Sequence, residues 1–329
     1  AIDSYVSEFV RPFNLAEDLP YRVSLLDISG EDYLLMIDTH HIINDGVSNE
    51  VLMRDFWSLY QGKELSNNKV DYIDYAVWQQ GSDHQELISS HKSYWLDLYD
   101  SSITSLELPI DYSRPKIQSD EGGVYSFTFD ESQSLALRSL ASKEGVTMYG
   151  LFLGLYNVLL SKLSNQEDIV VGTPTSGRNH SDIEDVVGMF VNTLALRTEV
   201  DSSKGFTVFL QELQSNTLDA FDHQLYQYED LVDALGVSRD TGRNPLFDVF
   251  YSYAQGEVNS EIADSEGLII KGHEVAYDIA KFDLSLQVEE RDCIGFSFNY
   301  RKDLFKESTI VQFSSYLVRI VTSVLNDAS

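Results

Sequence analysis

The stretch YLLMIDTHHIINDG, residues 33–46, decides how this chain folds and where its chemistry sits. Residues 33–39, YLLMIDT, are mostly apolar and include strand formers, which predicts a β-strand. The strand runs into a histidine pair, His40 and His41, and then into Asp45-Gly46. Beyond it Val51, Leu52, Asp55, Phe56 and Leu59 recur at helical spacing, which predicts a helix over about 48–60. Gly62 stands where a helix C-cap is expected. A strand, a short polar loop and a helix therefore flank the histidines. Such an arrangement holds a side chain rigid yet open to solvent.

Upstream, residues 1–30 read as a short helix followed by extended chain. Downstream, 63–70 are polar and a second helical stretch runs to about residue 98. Leu108-Pro109 through Pro115-Lys116, then Gly122-Gly123, has the composition of a linker. The expected division is residues 1–112 and 113–329, two lobes each long enough to own a core. Past the linker, VYSFTF (124–129) alternates as a strand. Asp130 and Gln133 form a capping box for a helix ending near Gly145. Thr147 caps a helix, 148–163, that is apolar on most faces and therefore central. DIVVGTPT (168–175) is a buried strand and 206–222 a helix. PLFDVFYSY, FDLSLQVE and IGFSFNY are further strands, and a helix from about 307 closes the chain. Strands and helices mix throughout, so the fold class is α/β, with a sheet layered against helices.

Composition narrows the function. Of 329 residues, 53 are acidic and 23 basic, a net charge of −30 that repels phosphate backbones and argues against nucleic acid. No run of about 18 apolar residues suggests a membrane span, and the opening AIDSYVSEFV is not a signal peptide. The single cysteine, Cys293, excludes an internal disulfide; it fits a reducing cytoplasm and reads as a packing residue. A cytoplasmic monomer is expected.

The histidine pair admits three readings. A His-His pair taken at random is most often packing. A metal site is poorly supported: His41 and Asp45 are four apart, but Gly46 and the strand-to-loop break spoil a shared helical face. Nor is there a Cys/His cluster or an HExxH pattern, so no metal is expected. The third reading is acid/base chemistry by one neutral imidazole with an aspartate ordering the site. Adjacent strand residues face opposite ways, so only one histidine is free to face a cleft.

His40-His41 followed by Asp45-Gly46 matches the HHxxxDG signature of nonribosomal peptide synthetase condensation domains and of the wider CoA-dependent acyltransferases, which include chloramphenicol acetyltransferase. Four further stretches strengthen the resemblance. Tyr72-Ile73-Asp74-Tyr75-Ala76-Val77-Trp78 resembles YxDYAxW. Val187 through Arg197 resembles VGxFVNTxxxR. His223-Gln224 with Tyr228-Glu229 resembles HQxxPxE, with Gln227 where proline is usual. Arg239-Asp240 and Arg243-Asn244-Pro245-Leu246-Phe247 resemble RDxSRNPLF, with Gly242 in place of serine. Two motifs that usually precede HHxxxDG do not appear, so the resemblance implies that about the first quarter of a typical domain is missing.

The resemblance implies two chloramphenicol-acetyltransferase-like lobes forming a V, the N-terminal one incomplete, with the active site between them. It implies amide formation between a carrier-bound acyl or peptidyl thioester and the amine of a carrier-bound aminoacyl group. No cofactor is expected to bind tightly; substrates arrive on phosphopantetheine arms. The implied partners are upstream and downstream carrier domains and an adjacent adenylation domain. His41 is the expected catalytic residue, His40, Asp45 and Gly46 its support. Asp45 is expected to hold the loop by pairing with an arginine that the family supplies from the missing part, leaving Arg11, Arg22 or another base as substitutes. Gly46-Val47-Ser48-Asn49-Glu50 departs from the DGxSWR of epimerization domains at Asn49 and Glu50. Both histidines differ from heterocyclization domains, and the second differs from non-catalytic recruitment domains. Two alternatives stand beside this reading: a stand-alone acyltransferase of the same superfamily, and a truncated fragment that binds carrier proteins without turnover.

Overall fold

The structure, a computed structural model, describes residues 2–100, 103–237, 240–256, 262–263, 268–273 and 279–327. It divides into two compact units, Ala1–Ser89 with Ser176–Asn192, and Ser90–Thr175 with Thr193–Ser329. The 112/113 division expected from composition falls inside the second unit. The chain passes from one unit to the next within a helix, and Trp95 and Tyr99 at its far end are already buried in the second core.

The first unit opens with α1 (Ile2–Phe9), followed by the antiparallel pair β1 (Tyr21–Asp27) and β2 (Tyr33–Thr39). A 3-10 turn, His41–Ile43, then leads into α2 (Gly46–Tyr60). α2 starts two residues before its expected start because Asp45 is its N-cap, accepting from the Ser48 N–H. At the other end Gly62 has φ +73 and lies just past the cap, Gln61. The amides of Gly62 and Lys63 return to the carbonyls of Leu59 and Ser58, which closes the helix. The single helical stretch expected after residue 70 is two helices, α3 (Tyr72–Gln79) and α4 (Ser82–Leu98). They break at Gly81, whose N–H turns back to the Trp78 carbonyl.

The second unit is built on a six-stranded sheet of order β3-β10-β9-β6-β4-β5. Its strands are β3 (Gly122–Thr128), β4 (Asp168–Thr175), β5 (Asn192–Glu199), β6 (Val249–Gln255), β9 (Leu284–Glu290) and β10 (Ile294–Arg301). β10 pairs antiparallel with β3 and β9, whereas β6 pairs parallel with β9 and β4. A two-residue pair, β7 (Ile262–Ala263) and β8 (Ile269–Ile270), stands apart. The helices are α5 (Glu131–Glu144), α6 (Met148–Ser164), α7 (Phe206–Asp222), α8 (Tyr228–Leu235) and α9 (Glu307–Asn326).

α5 carries the expected Asp130–Gln133 capping box and ends at Gly145 in the left-handed region. α6 is capped by Thr147 and buries Leu151 through Asn157, the central helix that its sequence describes. The strand expected from Pro245 begins only at Val249. Leu246, at φ +66, and the bond from the Phe247 N–H to the Pro245 carbonyl first turn the chain. α9 has the length and composition to cross a bilayer, although no run of about 18 apolar residues suggests a span in the sequence. Its Ile310, Phe313, Leu317 and Val321 are instead buried in the core of this unit.

Candidate active site

β2 ends at Thr39, so neither histidine belongs to the strand. His40 is extended and caps the 3-10 turn, its Nδ1 accepting from the Ile42 N–H at 3.0 Å. Its ring also packs edge-on to Phe13. His41 is the first residue of that turn and is exposed. The turn, rather than strand alternation, separates the two rings.

His41 Nδ1 lies 2.6 Å from the Asn44 carbonyl oxygen. A carbonyl only accepts, so this contact suits a ring with its proton on Nδ1, and in the neutral form that leaves the lone pair on Nε2. Asn44 is buried, and its side-chain Nδ2 donates to Thr39 Oγ1 at 2.8 Å and to Asn49 Oδ1. One residue therefore spans the end of β2 and the first turn of α2.

Asp45 is 4% exposed. Its Oδ1 accepts from the Ser48 N–H at 2.8 Å and from Arg178 Nη2 at 3.1 Å, its Oδ2 from the Phe190 N–H at 3.0 Å. Burial pushes its pKa up. The Ser48 and Phe190 amides, the Ser48 hydroxyl and the Arg178 guanidinium push it down and prevail, so the carboxyl sits below its ordinary value. The partner of Asp45 is thus Arg178, from the segment 176–192 of the same unit, and not Arg11 or Arg22. Arg22 is engaged elsewhere, with Asp38 at 3.0 Å and the carbonyls of Arg11 and Pro12, and Arg11 is exposed.

Arg178 organises the rest. Its Nη1 donates to the Ile183 and Val186 carbonyls at 2.6 Å each, and its Nη2 to Ser48 Oγ at 2.8 Å. Its guanidinium lies over the Phe190 ring, 4.2 Å from the centroid. Ser48, fully buried, exchanges two hydrogen bonds with the backbone of Gly188. Ile183, Val186 and Phe190 form a small apolar cluster with Val70, Tyr72 and Tyr75, and the Tyr72 hydroxyl donates to the Met189 carbonyl at 2.8 Å. Gly177 has φ +65, and a Cβ there would lie 1.9 Å from the Phe190 carbonyl oxygen, so only glycine lets the chain deliver Arg178. At Gly188 a Cβ would strike the Tyr72 ring at 2.1 Å.

The sequence singled out Tyr72–Trp78 and Val187–Arg197 as motifs, and the structure brings their first halves together around Asp45. Arg178 and Ser48 were missed. An arginine after a glycine in a polar stretch carries no local signal; only the long-range contact reveals it. Gly46, the first residue of α2, is exposed, and a Cβ there would meet nothing within 4 Å.

Arg197, Arg243, Asn244 and His223 belong to the second unit. Arg197 grips both oxygens of Asp168. Arg243 binds Asp248 and the Leu106 carbonyl, and the Asn244 N–H also donates to Asp248. Arg239 lies outside the described residues. His223 stacks on Tyr94, and the exposed His180 ring accepts from the Asp182 N–H. His84 is buried beside Trp78, and burial lowers its pKa.

The profile of the family described as "Condensation domain" matches residues 1–329. The chain is 42% identical over 325 residues to gramicidin S synthase 2 of Aneurinibacillus migulanus, matching 98% of this chain and 7% of that protein. It is 40% identical over 326 residues to tyrocidine synthase 2 of Brevibacillus parabrevis, matching 98% of this chain and 9% of that protein. The chain thus spans under a tenth of either relative. Among solved structures, the X-domain from teicoplanin biosynthesis matches 99% of this chain and 77% of its own, with a TM-score of 0.89 and 22% identity. A four-domain nonribosomal peptide synthetase bound to AMP and glycine matches 99% of this chain and 26% of its own, with a TM-score of 0.88 and 23% identity. The chain therefore belongs to the condensation-domain family.

Proposed function

We propose that this chain joins an acyl or peptidyl thioester to an amine, with His41 as its catalytic residue. The observation that carries the reading is the exposed imidazole whose Nδ1 proton is held by the Asn44 carbonyl. Its Nε2 is left as an acceptor for the proton of an attacking amine. The amine nitrogen forms a bond to the thioester carbonyl carbon. The C–S bond breaks, the thiolate leaves, and the amine proton passes through Nε2 to the sulfur. A thiolate leaves readily, so no covalent enzyme intermediate is needed. An α-amine, with a reference pKa of about 7.7–8.0, is already partly free at neutral pH, so orientation contributes beside proton transfer. The Gly46 N–H, at the start of α2, is the candidate donor to the developing oxyanion. His40 and Asp45 support the loop.

We infer from the family resemblance a donor and an acceptor each carried on the phosphopantetheine arm of a carrier domain, next to an adenylation domain, in a cytoplasmic protein acting as a monomer; the likeness to two peptide-antibiotic synthases supports the family. A binding-only reading draws on the likeness to an X-domain solved in complex with OxyB. The second histidine favours the enzyme. The test is single-turnover amide formation followed by mass spectrometry, using carrier-bound aminoacyl acceptors and either carrier-bound or coenzyme A donors. His41→Ala is expected to lower the rate by about 10²–10⁴ with carrier binding unchanged. Equal rates for the two proteins would overturn the assignment of His41. Preference for the coenzyme A donor would favour a stand-alone acyltransferase. Carrier binding by the wild-type chain without turnover would favour the binding-only reading.

A further inference from the structure

His41 stands on the surface, and an exposed side chain ordinarily samples several orientations and both neutral tautomers. Here one neighbour restrains it. The Asn44 carbonyl accepts from His41 Nδ1 at 2.6 Å, and the Asn44 N–H returns toward the His41 carbonyl at 3.4 Å. The ring and main chain of His41 are thus both referred to one residue. The position of that residue is fixed from the other side. Asn44 is 4% exposed, and its Nδ2 reaches Thr39 Oγ1, at the last residue of β2, and Asn49 Oδ1, in α2. Two acceptors on two elements determine the amide plane, and the extended backbone of Asn44 then aims its carbonyl at the imidazole.

The arrangement costs something. Asn44 Oδ1 is buried and has no partner among the described residues. Leaving an acceptor dry is unfavourable. Serine, threonine or aspartate cannot offer two N–H donors from one nitrogen, and alanine offers none. What asparagine supplies here is the two-armed donor.

We propose that Asn44 is the positioning residue of this site: its side-chain clamp on Thr39 and Asn49 holds its own carbonyl where it fixes His41 in the Nδ1–H tautomer. The inference rests on the reading of His41 given above. The carbonyl also faces the imidazolium that forms when Nε2 takes a proton, and a hydrogen bond to that charged form stabilises it. Asn44 thus acts on the reaction through the imidazole and touches no substrate.

The test uses the ring 15N shifts of His41 in the full chain, which distinguish the tautomers without any substrate, together with the pH–rate profile of single-turnover condensation. The wild type is expected to show one tautomer, protonated at Nδ1. Asn44→Ala keeps the main-chain carbonyl but loses both donors. It is expected to give mixed tautomers, a displaced profile and a turnover roughly ten- to a hundredfold lower, with KM nearly unchanged. Should Asn44→Ala unfold, the double variant Thr39→Val, Asn49→Ala removes the clamp's acceptors and leaves Asn44 in place; the same tautomer mixing is expected. A single Nδ1–H tautomer in either folded variant, with an unmoved pH profile, would overturn the proposal. The failure of the functional reading looks different: the clamp would appear in the ring shifts while His41→Ala turned over like the wild type.

Discussion

The second unit hides its apolar side chains, and the first does not. Leu137, Leu151, Phe152, Tyr156 and Phe298 are among many that the sheet and helices of the second unit seal completely. In the first, the buried apolar side chains among the described residues are Val6, Val51, Ile183, Val186 and Phe190. Val23 and Leu25 of β1 are 60% and 64% exposed, and Ile73 and Val77 of α3 are 74% and 68% exposed. Burial is strong but has no direction, so it builds a scaffold without aiming a side chain. Hydrogen bonds and ion pairs are weaker in net terms but directional. The first unit holds the Asp45 loop through them, with Arg178 and Ser48 joining the segment 176–192 to α2. The scaffold of one unit is apolar area; the geometry of the other is a polar network.

The largest expected effect follows from cutting that network. Arg178→Met leaves Asp45 buried without its cation and the Ile183, Glu184 and Val186 carbonyls short of a donor. A loss of about 3–5 kcal/mol is expected in urea unfolding. Lys204→Met breaks a 2.7 Å pair in which both partners are well exposed, in the second unit, and is expected to cost no more than about 1 kcal/mol. Similar losses for the two variants would show that the buried Arg178 contacts stabilise the fold no more than an exposed ion pair does.

Apolar truncations sharpen the contrast from the other side. Leu153→Ala empties a fully sealed position of α6 and is expected to cost about 2–5 kcal/mol. Leu25→Ala, on the open strand of the first unit, is expected to change stability by no more than about 0.5 kcal/mol. Thermal melts of the two proteins decide it: a Leu25→Ala loss as large as that of Leu153→Ala would mean that β1 is covered in solution.

What the sequence disclosed divides along the same line. Local signals were legible: the Asp130–Gln133 box, the Thr147 cap, the apolar run of α6 and the strand 168–175 all announce themselves through neighbours a few residues away. The histidine pair and Asp45 were legible because they are adjacent. β5 and α8 lie in segments whose sequence shows motifs more plainly than a periodic pattern. Arg178 was illegible for a deeper reason. It lies 133 residues from Asp45, and an ion pair at that separation leaves no periodicity or local spacing to find. The 112/113 division differs from the compact units, because linker composition does not reveal that 176–192 returns to the first unit.

The smallest expected effect concerns two buried carboxyls whose environments oppose each other. Asp45 has its pKa lowered: its amide, hydroxyl and guanidinium donors outweigh burial. Asp248 has its pKa raised, first by burial and then by the nearby Asp283 charge, against the Asn244 amide and the guanidiniums of Arg243 and Arg114. The signs differ accordingly. The stabilising contribution of Asp45 is fully present above its unfolded pKa, about 3.9, and is lost as pH falls through its lower folded value. That of Asp248 is fully present below the unfolded value and is lost as pH rises through its higher folded one. Asp45→Asn should therefore lose less stability than the wild type on acidification below pH ~4. Asp248→Asn should lose less than the wild type as pH rises from there toward neutrality. Urea unfolding across that range reads both differences, and a common sign for the two variants would mean that one carboxyl is not held as these contacts require. Because both side chains are almost fully buried, salt should alter neither trend much, whereas the Lys204–Glu212 pair should weaken with added salt.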